Sequence, residues 1–130
     1  MTGRRRALVA SLVLTPLAAM AEDNDRALIE VARRGETGEV SRLLAAGASV
    51  AARDGAGRTA LLLATIGNHV EIARLLIEAG ADVNAQDDQR DSPFLYAGAE
   101  WRNEILRLTL ARGADLGSVD ILHELGIRRI

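Results

Sequence analysis

The chain has 130 residues, enough for one small domain, with 48% hydrophobic and 26% charged residues and a formal net charge of −2. That balance favours a folded chain over a disordered one. It has no cysteine, which excludes disulfides, thiolate metal sites and a cysteine nucleophile. Phe94, Tyr96 and Trp101 are the sole aromatic residues, so the core must be built from Leu, Ile, Val and Ala, types that suit thin helices in close contact.

The first element is a leader. Arg4, Arg5 and Arg6 form a basic start, Ala7 to Leu17 is an apolar run, and Ala19-Met20-Ala21 is a small-x-small cleavage site followed by Glu22 and Asp23. This is the layout of a secretory signal peptide over residues 1–21. Pro16 ends the apolar helix just before the cut. The run falls short of the roughly 20 apolar residues that span a bilayer, so cleavage is expected in preference to a retained anchor. Arg5-Arg6 also fits a twin-arginine signal loosely, which leaves the export route open. With no Cys at the cut, a lipoprotein is excluded. Removal of the leader leaves thirteen arginines against eighteen acidic residues, a net charge near −5. A chain of that sign is a poor partner for nucleic acid or for an anionic membrane surface.

After the leader, one phrase is written three times: "GASVAARD" from Gly47, "GADVNAQD" from Gly80 and "GADLGSVD" from Gly113, 33 residues apart each time. A fixed period dictates the architecture. On this register Asp54, Asp87 and Asp120 coincide, as do Leu28, Leu61 and Phe94. So do Leu43, Leu76 and Thr109, and Leu44, Ile77 and Leu110. The units are 22–53, 54–86 and 87–119, with a partial fourth over 120–130, all within one domain of residues 22–130.

Each unit reads as two short helices and a hairpin loop. Thr59 is the expected N-cap of the middle unit's first helix. In the next unit Ser92 caps and Pro93 takes the first helical position, where a missing N–H is harmless. Asn68 closes the middle first helix and Gly35 the one before it, because both tolerate a left-handed turn. The second helix shows helical periodicity through Ile72, Leu75, Leu76 and Ala79, and Gly80 ends it, as Gly47 and Gly113 do in their units. The polar stretch from Ala81 to Arg90 is a projecting turn. A two-helix unit of this size cannot bury its own apolar face and must stack on a copy of itself.

The period, together with Thr-Ala-Leu-Leu-Leu-Ala at 59–64, "GNHVEIARLLIEAGADVNAQD" at 67–87 and Ser-Pro-Phe-Leu-Tyr-Ala at 92–97, resembles the ankyrin repeats. With the leader, the chain is similar to the exported bacterial ankyrin proteins. The resemblance spans roughly Asp25 to Asp120 and implies an all-α solenoid of about three helix-turn-helix units with hairpin loops. The departures are specific. The family's Thr-Pro-Leu-His has lost its His, with Leu62 and Leu95 in its place, so packing must hold that turn. Trp101 stands where the family has the Gly of its first-helix turn. A bulky residue there is strained, so either the turn is rebuilt or the indole finds a pocket. Ile127 falls in the Leu61 column three residues before the last residue given, and no polar terminal cap is evident.

Catalytic chemistry finds little support. His69 fills the family's usual turn position, His123 lies in the tail, and no Ser sits in a nucleophile elbow. Asp87-Asp88-Gln89-Arg90-Asp91 lacks the Gly and distal Glu of a calcium loop. No cofactor and no metal site are expected, and "GAG" at 55–57 is a hairpin turn.

The resemblance implies that protein partners are bound through the hairpin tips and the inner face of the first helices. Carried over by column, those positions are Arg33 and Arg34 in the first unit. In the second they are Ala56, Arg58 and Ile66, and in the third Asp88, Gln89, Asp91, Ala99 and Glu100. This face runs from basic to acidic, which would orient a partner of opposite gradient. Trp101 is the natural anchor if exposed. The expected function is a non-catalytic interaction module, periplasmic or secreted. Two alternatives stand beside it. One is a truncated or frameshifted array without independent function. The other is a homodimer through the uncapped last unit, with Ile121, Leu122 and Leu125 of the tail on the dimer surface.

Overall fold

A computed structural model describes residues 20–114 of the chain. The leader up to Ala19 and the tail from residue 115, with Ile121, Leu122, His123, Leu125 and Ile127, lie outside the described residues. The expected cleavage after Ala21 falls within helix, because α1 occupies 20–34 continuously among the described residues. The helices that follow are α2 (Thr37–Ala45), α3 (Ala60–Ile66), α4 (Val70–Glu78), α5 (Pro93–Ala99) and α6 (Asn103–Ala111). No helix among the described residues is long and apolar enough to cross a membrane.

The elements form where their end signals stand. The Thr59 hydroxyl oxygen accepts a bond from the Leu62 N–H at 3.2 Å, and the Ser92 hydroxyl oxygen accepts one from Leu95 at 3.1 Å, so each first helix starts on a satisfied cap. Pro93 occupies the first turn of α5. Each first helix ends on a left-handed residue in the same column: Gly35, Asn68 and Trp101, with φ of 83°, 55° and 58°. Each second helix ends on another such column, Gly47, Gly80 and Gly113. The chain therefore reverses at the same two points in every unit.

The helices pair within units, α3 with α4 and α5 with α6, and stack between units, α3 on α5 and α4 between α2 and α6. This yields two layers. The main core runs through Leu28, Leu43, Leu61, Ile72, Leu76 and Ile105, all buried. Phe94 and Leu95 form a smaller cluster with Leu106 and Ala114. Leu62 and Leu95, which replace the family's His, are both buried, so packing does hold the turn. On α4 the buried set is Ile72, Ala73, Leu76 and Ile77. Leu75 is half-buried and Ala79 is exposed, because Ala79 is the C-cap and lies past the last packed turn. Thr109 replaces the leucine of its column and stays buried, its hydroxyl donating to the Leu106 carbonyl at 2.7 Å, so the polar atom is not left unpaired.

Polar bonds also tie the units together at a spacing close to the period. His69 Nε2 bonds the Arg33 carbonyl at 3.2 Å, and Arg102 Nη2 donates to the Ile66 carbonyl at 3.1 Å. His69 and Arg102 stand 33 residues apart, as do Arg33 and Ile66. One column thus reaches back to the same carbonyl of the preceding unit. A Cβ at Gly35 or at Gly67 would collide with the His69 ring, so the imidazole is seated against both turns.

Candidate functional site: the hairpin tips and the first-helix turns

The second-unit hairpin is built around one carboxylate. Asp54 Oδ1 accepts from the Ala56 and Arg58 N–H groups at 2.9 Å each, and Oδ2 pairs with Arg58 Nε at 2.8 Å. The backbone closes beneath it, Asp54 N–H to the Arg58 carbonyl and Gly57 N–H to the Asp54 carbonyl, with Gly57 at φ 76°. Burial alone would raise the Asp54 carboxyl, but the bonds from Arg58 and Ala56 outweigh it and hold the group below the usual aspartate range. Arg53 Nη1 braces the loop through the Gly57 carbonyl at 2.9 Å and reaches the Gln86 carbonyl of the next unit at 2.6 Å. The two tips also meet directly, Asp88 N–H donating to the Ala56 carbonyl at 3.0 Å.

A lowered folded value means that Asp54 contributes stability above the unfolded aspartate value, and that this is lost as pH falls through the folded one. Asp54→Asn keeps the shape and removes the charge. It is expected to cost about 1 kcal/mol at neutral pH and to narrow the gap to wild type below about pH 4. Urea unfolding across that range checks it, and a gap independent of pH would rule it out.

The third-unit hairpin keeps the backbone and changes the charges. Asp87 Oδ1 accepts from Gln89 and Asp91 N–H at 3.0 and 2.8 Å, the same pattern as at Asp54. Where Arg58 stood, Asp91 now stands. Burial and the Asp87 charge both push the Asp91 carboxyl upward. Arg90 takes the Gly57 column and keeps its left-handed turn at φ 66°.

The first-helix turns form the other end of the surface. Arg33 and Arg34 are exposed at the end of α1, and both pair with Glu30. Arg58 is held by Asp54. The expected basic end is therefore partly neutralised from within, with Arg33 and Arg34 sharing one carboxylate, because acidic and basic residues three or four apart on one helix, or across one tight turn, meet each other first. The acidic end remains: Asp88 and Glu100 are exposed and Asp91 is half-buried, with Gln89 exposed beside them. Ala56, Ile66 and Ala99 are half-buried. The carbonyls of Ala56 and Ile66 serve the inter-unit bonds described above.

At Trp101 neither expectation holds. The turn is not rebuilt, since φ is 58°, and the indole finds no pocket, being 67% exposed. The Gly35 and Asn68 column fixes the backbone, and the side chain must go outward. Tyr96, half-buried on α5, is one turn from Ala99 and was not singled out from sequence; its column partner, Leu63, is a buried core residue. α5 is seven residues long, about 10 Å, and separates the acidic tip from Trp101.

A left-handed conformation costs a residue with a side chain about 1–2 kcal/mol. Trp101→Gly is therefore expected to stabilise the chain by roughly 0.5–1 kcal/mol after the entropy of glycine is offset. That corresponds to a rise in Tm of about 2–8 °C for a domain of this size. Calorimetry checks it, and a fall in Tm would show that the indole packs usefully.

A family model for ankyrin repeats in three copies matches residues 5–87 and 28–120. The chain belongs to the ankyrin-repeat family. Ankyrin repeats are generally protein–protein interaction modules, and the family is typically non-catalytic. The first match takes in most of the segment read as a leader. Among solved structures, the chain is similar to an ankyrin repeat domain from Acinetobacter baumannii, with 39% identity and a TM-score of 0.67 over 75% of this chain and 59% of that one. Among curated proteins, it is similar to the mitochondrial disaggregase of Homo sapiens and of Bos taurus, 43% identical over 71 residues in each case. Those residues are 55% of this ankyrin chain and 10% of each disaggregase.

Proposed function

We propose that this ankyrin-repeat chain is a non-catalytic binding module that acts after export, in the periplasm or outside the cell, and holds a protein partner on its hairpin tips and first-helix face. The observation that carries the reading is Trp101. A strained backbone and a largely exposed indole both work against stability, and Trp is the residue type most enriched at binding hot spots. Export is supported by Arg4–Arg6, the apolar run 7–17 and the Ala19-Met20-Ala21 site. His69 is absorbed by the architecture, its ring nitrogen on the Arg33 carbonyl, which argues against a catalytic use.

The test has two parts. The chain is expressed from its own first residue in a bacterial host, the compartments are separated and the N-terminus is sequenced. A protein starting at Glu22 outside the cytoplasm is expected; an uncut cytoplasmic protein sinks the export reading. Cross-linking in the native compartment is then compared between wild type and the double variant Asp88→Arg/Trp101→Gly. An adduct seen with wild type and lost in the variant supports the surface. An adduct of equal yield in both places the partner elsewhere.

A further inference from the structure

We propose that the third unit docks a basic, extended segment of the partner protein, with one cation seated against Asp87 and Asp91 and a second on the indole of Trp101 beside Glu100. The inference rests on the interaction-module reading above and adds the chemistry of what is bound.

The argument begins with two hairpins in register. Asp54 and Asp87 occupy one column, and Arg58 and Asp91 another. In both hairpins the first carboxylate accepts the N–H groups two and four residues on. In the second unit a guanidinium then completes the turn at 2.8 Å. In the third unit a second carboxylate takes that place, and Asp87 and Asp91 repel each other. No neighbour among the described residues supplies the missing cation. Arg53 is engaged by two carbonyls, and Arg90 makes no ion pair among the described residues. The tip is a cation seat whose own cation has been exchanged for an acid.

The other end of α5 carries the same preference by different chemistry. The Arg102 side chain turns inward to the Ile66 carbonyl, which leaves Glu100, the residue before Trp101, as an exposed charge on the same turn as the exposed indole. A guanidinium or ammonium over an indole face is attracted by the ring, and most strongly by Trp. A neighbouring carboxylate adds to that attraction. The two ends are separated by the length of α5, about 10 Å. An extended chain advances about 3.3 Å per residue and returns to the same face every second residue. Two basic residues four positions apart stand about 13 Å from each other on one face, and their long side chains take up the difference from the length of α5. Anionic occupants, nucleic acid and acidic lipid among them, meet Asp87, Asp88, Asp91 and Glu100 and are repelled.

Isothermal calorimetry on the full chain tests this with two synthetic probes. One is a Gly/Ser peptide with two arginines four positions apart, and the other has glutamate in place of both. Two variants borrow residues that the fold already uses in register, Asp91→Arg from the second unit and Trp101→Gly from the first, so circular dichroism should report an intact fold. The arginine peptide is expected to bind wild type saturably and the glutamate peptide not at all. Each variant should weaken binding by about tenfold, and added salt should weaken it further. The inference is overturned if the arginine peptide gives no heat, if the glutamate peptide binds as well, or if both variants bind like wild type. Any of these, together with a cross-link that still depends on Asp88 and Trp101, leaves the module standing with a partner of other chemistry. Loss of both results removes the two readings together.

Discussion

Leu76→Ala is expected to cost about 3–5 kcal/mol and to lower the urea midpoint of the whole chain by about 2 M in a single transition. Leu76 is fully buried on α4, and α4 lies between α2 and α6. Truncation there removes packing within the middle unit and weakens both of its stacking contacts at once. In a repeat array each unit is held by its own stability plus its neighbour interfaces. Three units lie near the minimum for a stable array, so losing the central one leaves neither neighbour able to stand. Amide exchange should rise together in α2, α4 and α6. Retained protection in α6 alone would contradict the shared dependence.

Phe94→Ala should cost a similar amount, about 3–5 kcal/mol, with a different distribution. Phe94 is 1% exposed but belongs to the smaller cluster with Leu95, Leu106 and Ala114. Its loss should loosen α5 and α6 while α3 and α4 keep most of their protection, so that the urea transition broadens or divides. Hydrogen exchange resolved by segment separates the two variants. The functional corollary is direct. α5 sets the separation between the acidic tip and Trp101, so Phe94→Ala should weaken partner binding at denaturant concentrations where the rest of the chain is still folded. A uniform loss of protection across all helices would show that the smaller cluster is not an independent unit.

The period made the backbone legible. Thr59 and Ser92 cap, Pro93 opens its helix, and the glycine and asparagine columns take positive φ, because each depends on local geometry that a single residue type dictates. The same rule holds at Trp101, where the column fixed the backbone against the preference of the side chain. Whether the ring found cover depends on what lies across space, and spacing along the chain carries no record of that. The basic-to-acidic gradient is shallower than formal charge suggests for a related reason. Glu30 and Asp54 sit three or four residues from Arg33, Arg34 and Arg58 and engage them, two arginines sharing the one Glu30. A check of i,i+3 and i,i+4 neighbours would have found these pairs. A comparison of residue 58 with residue 91 would likewise have revealed the acid in the cation's place. The back-reaching bonds of His69 and Arg102 had no comparable signal, since their acceptors are main-chain carbonyls.

That last feature bears on how such a chain can change over evolutionary time. Because the acceptors at Arg33 and Ile66 are backbone oxygens, the hydrogen bond across each joint does not depend on which side chain the upstream module presents at that position. An imidazole serves at one joint and a guanidinium at the next. Duplication, deletion or recombination of modules then keeps that bond, and the matching demand on the upstream side falls on the turn, where Gly35 makes room for the imidazole. The surface residues of each module are left free to differ, as the cation at Arg58 and the acid at Asp91 do in one column.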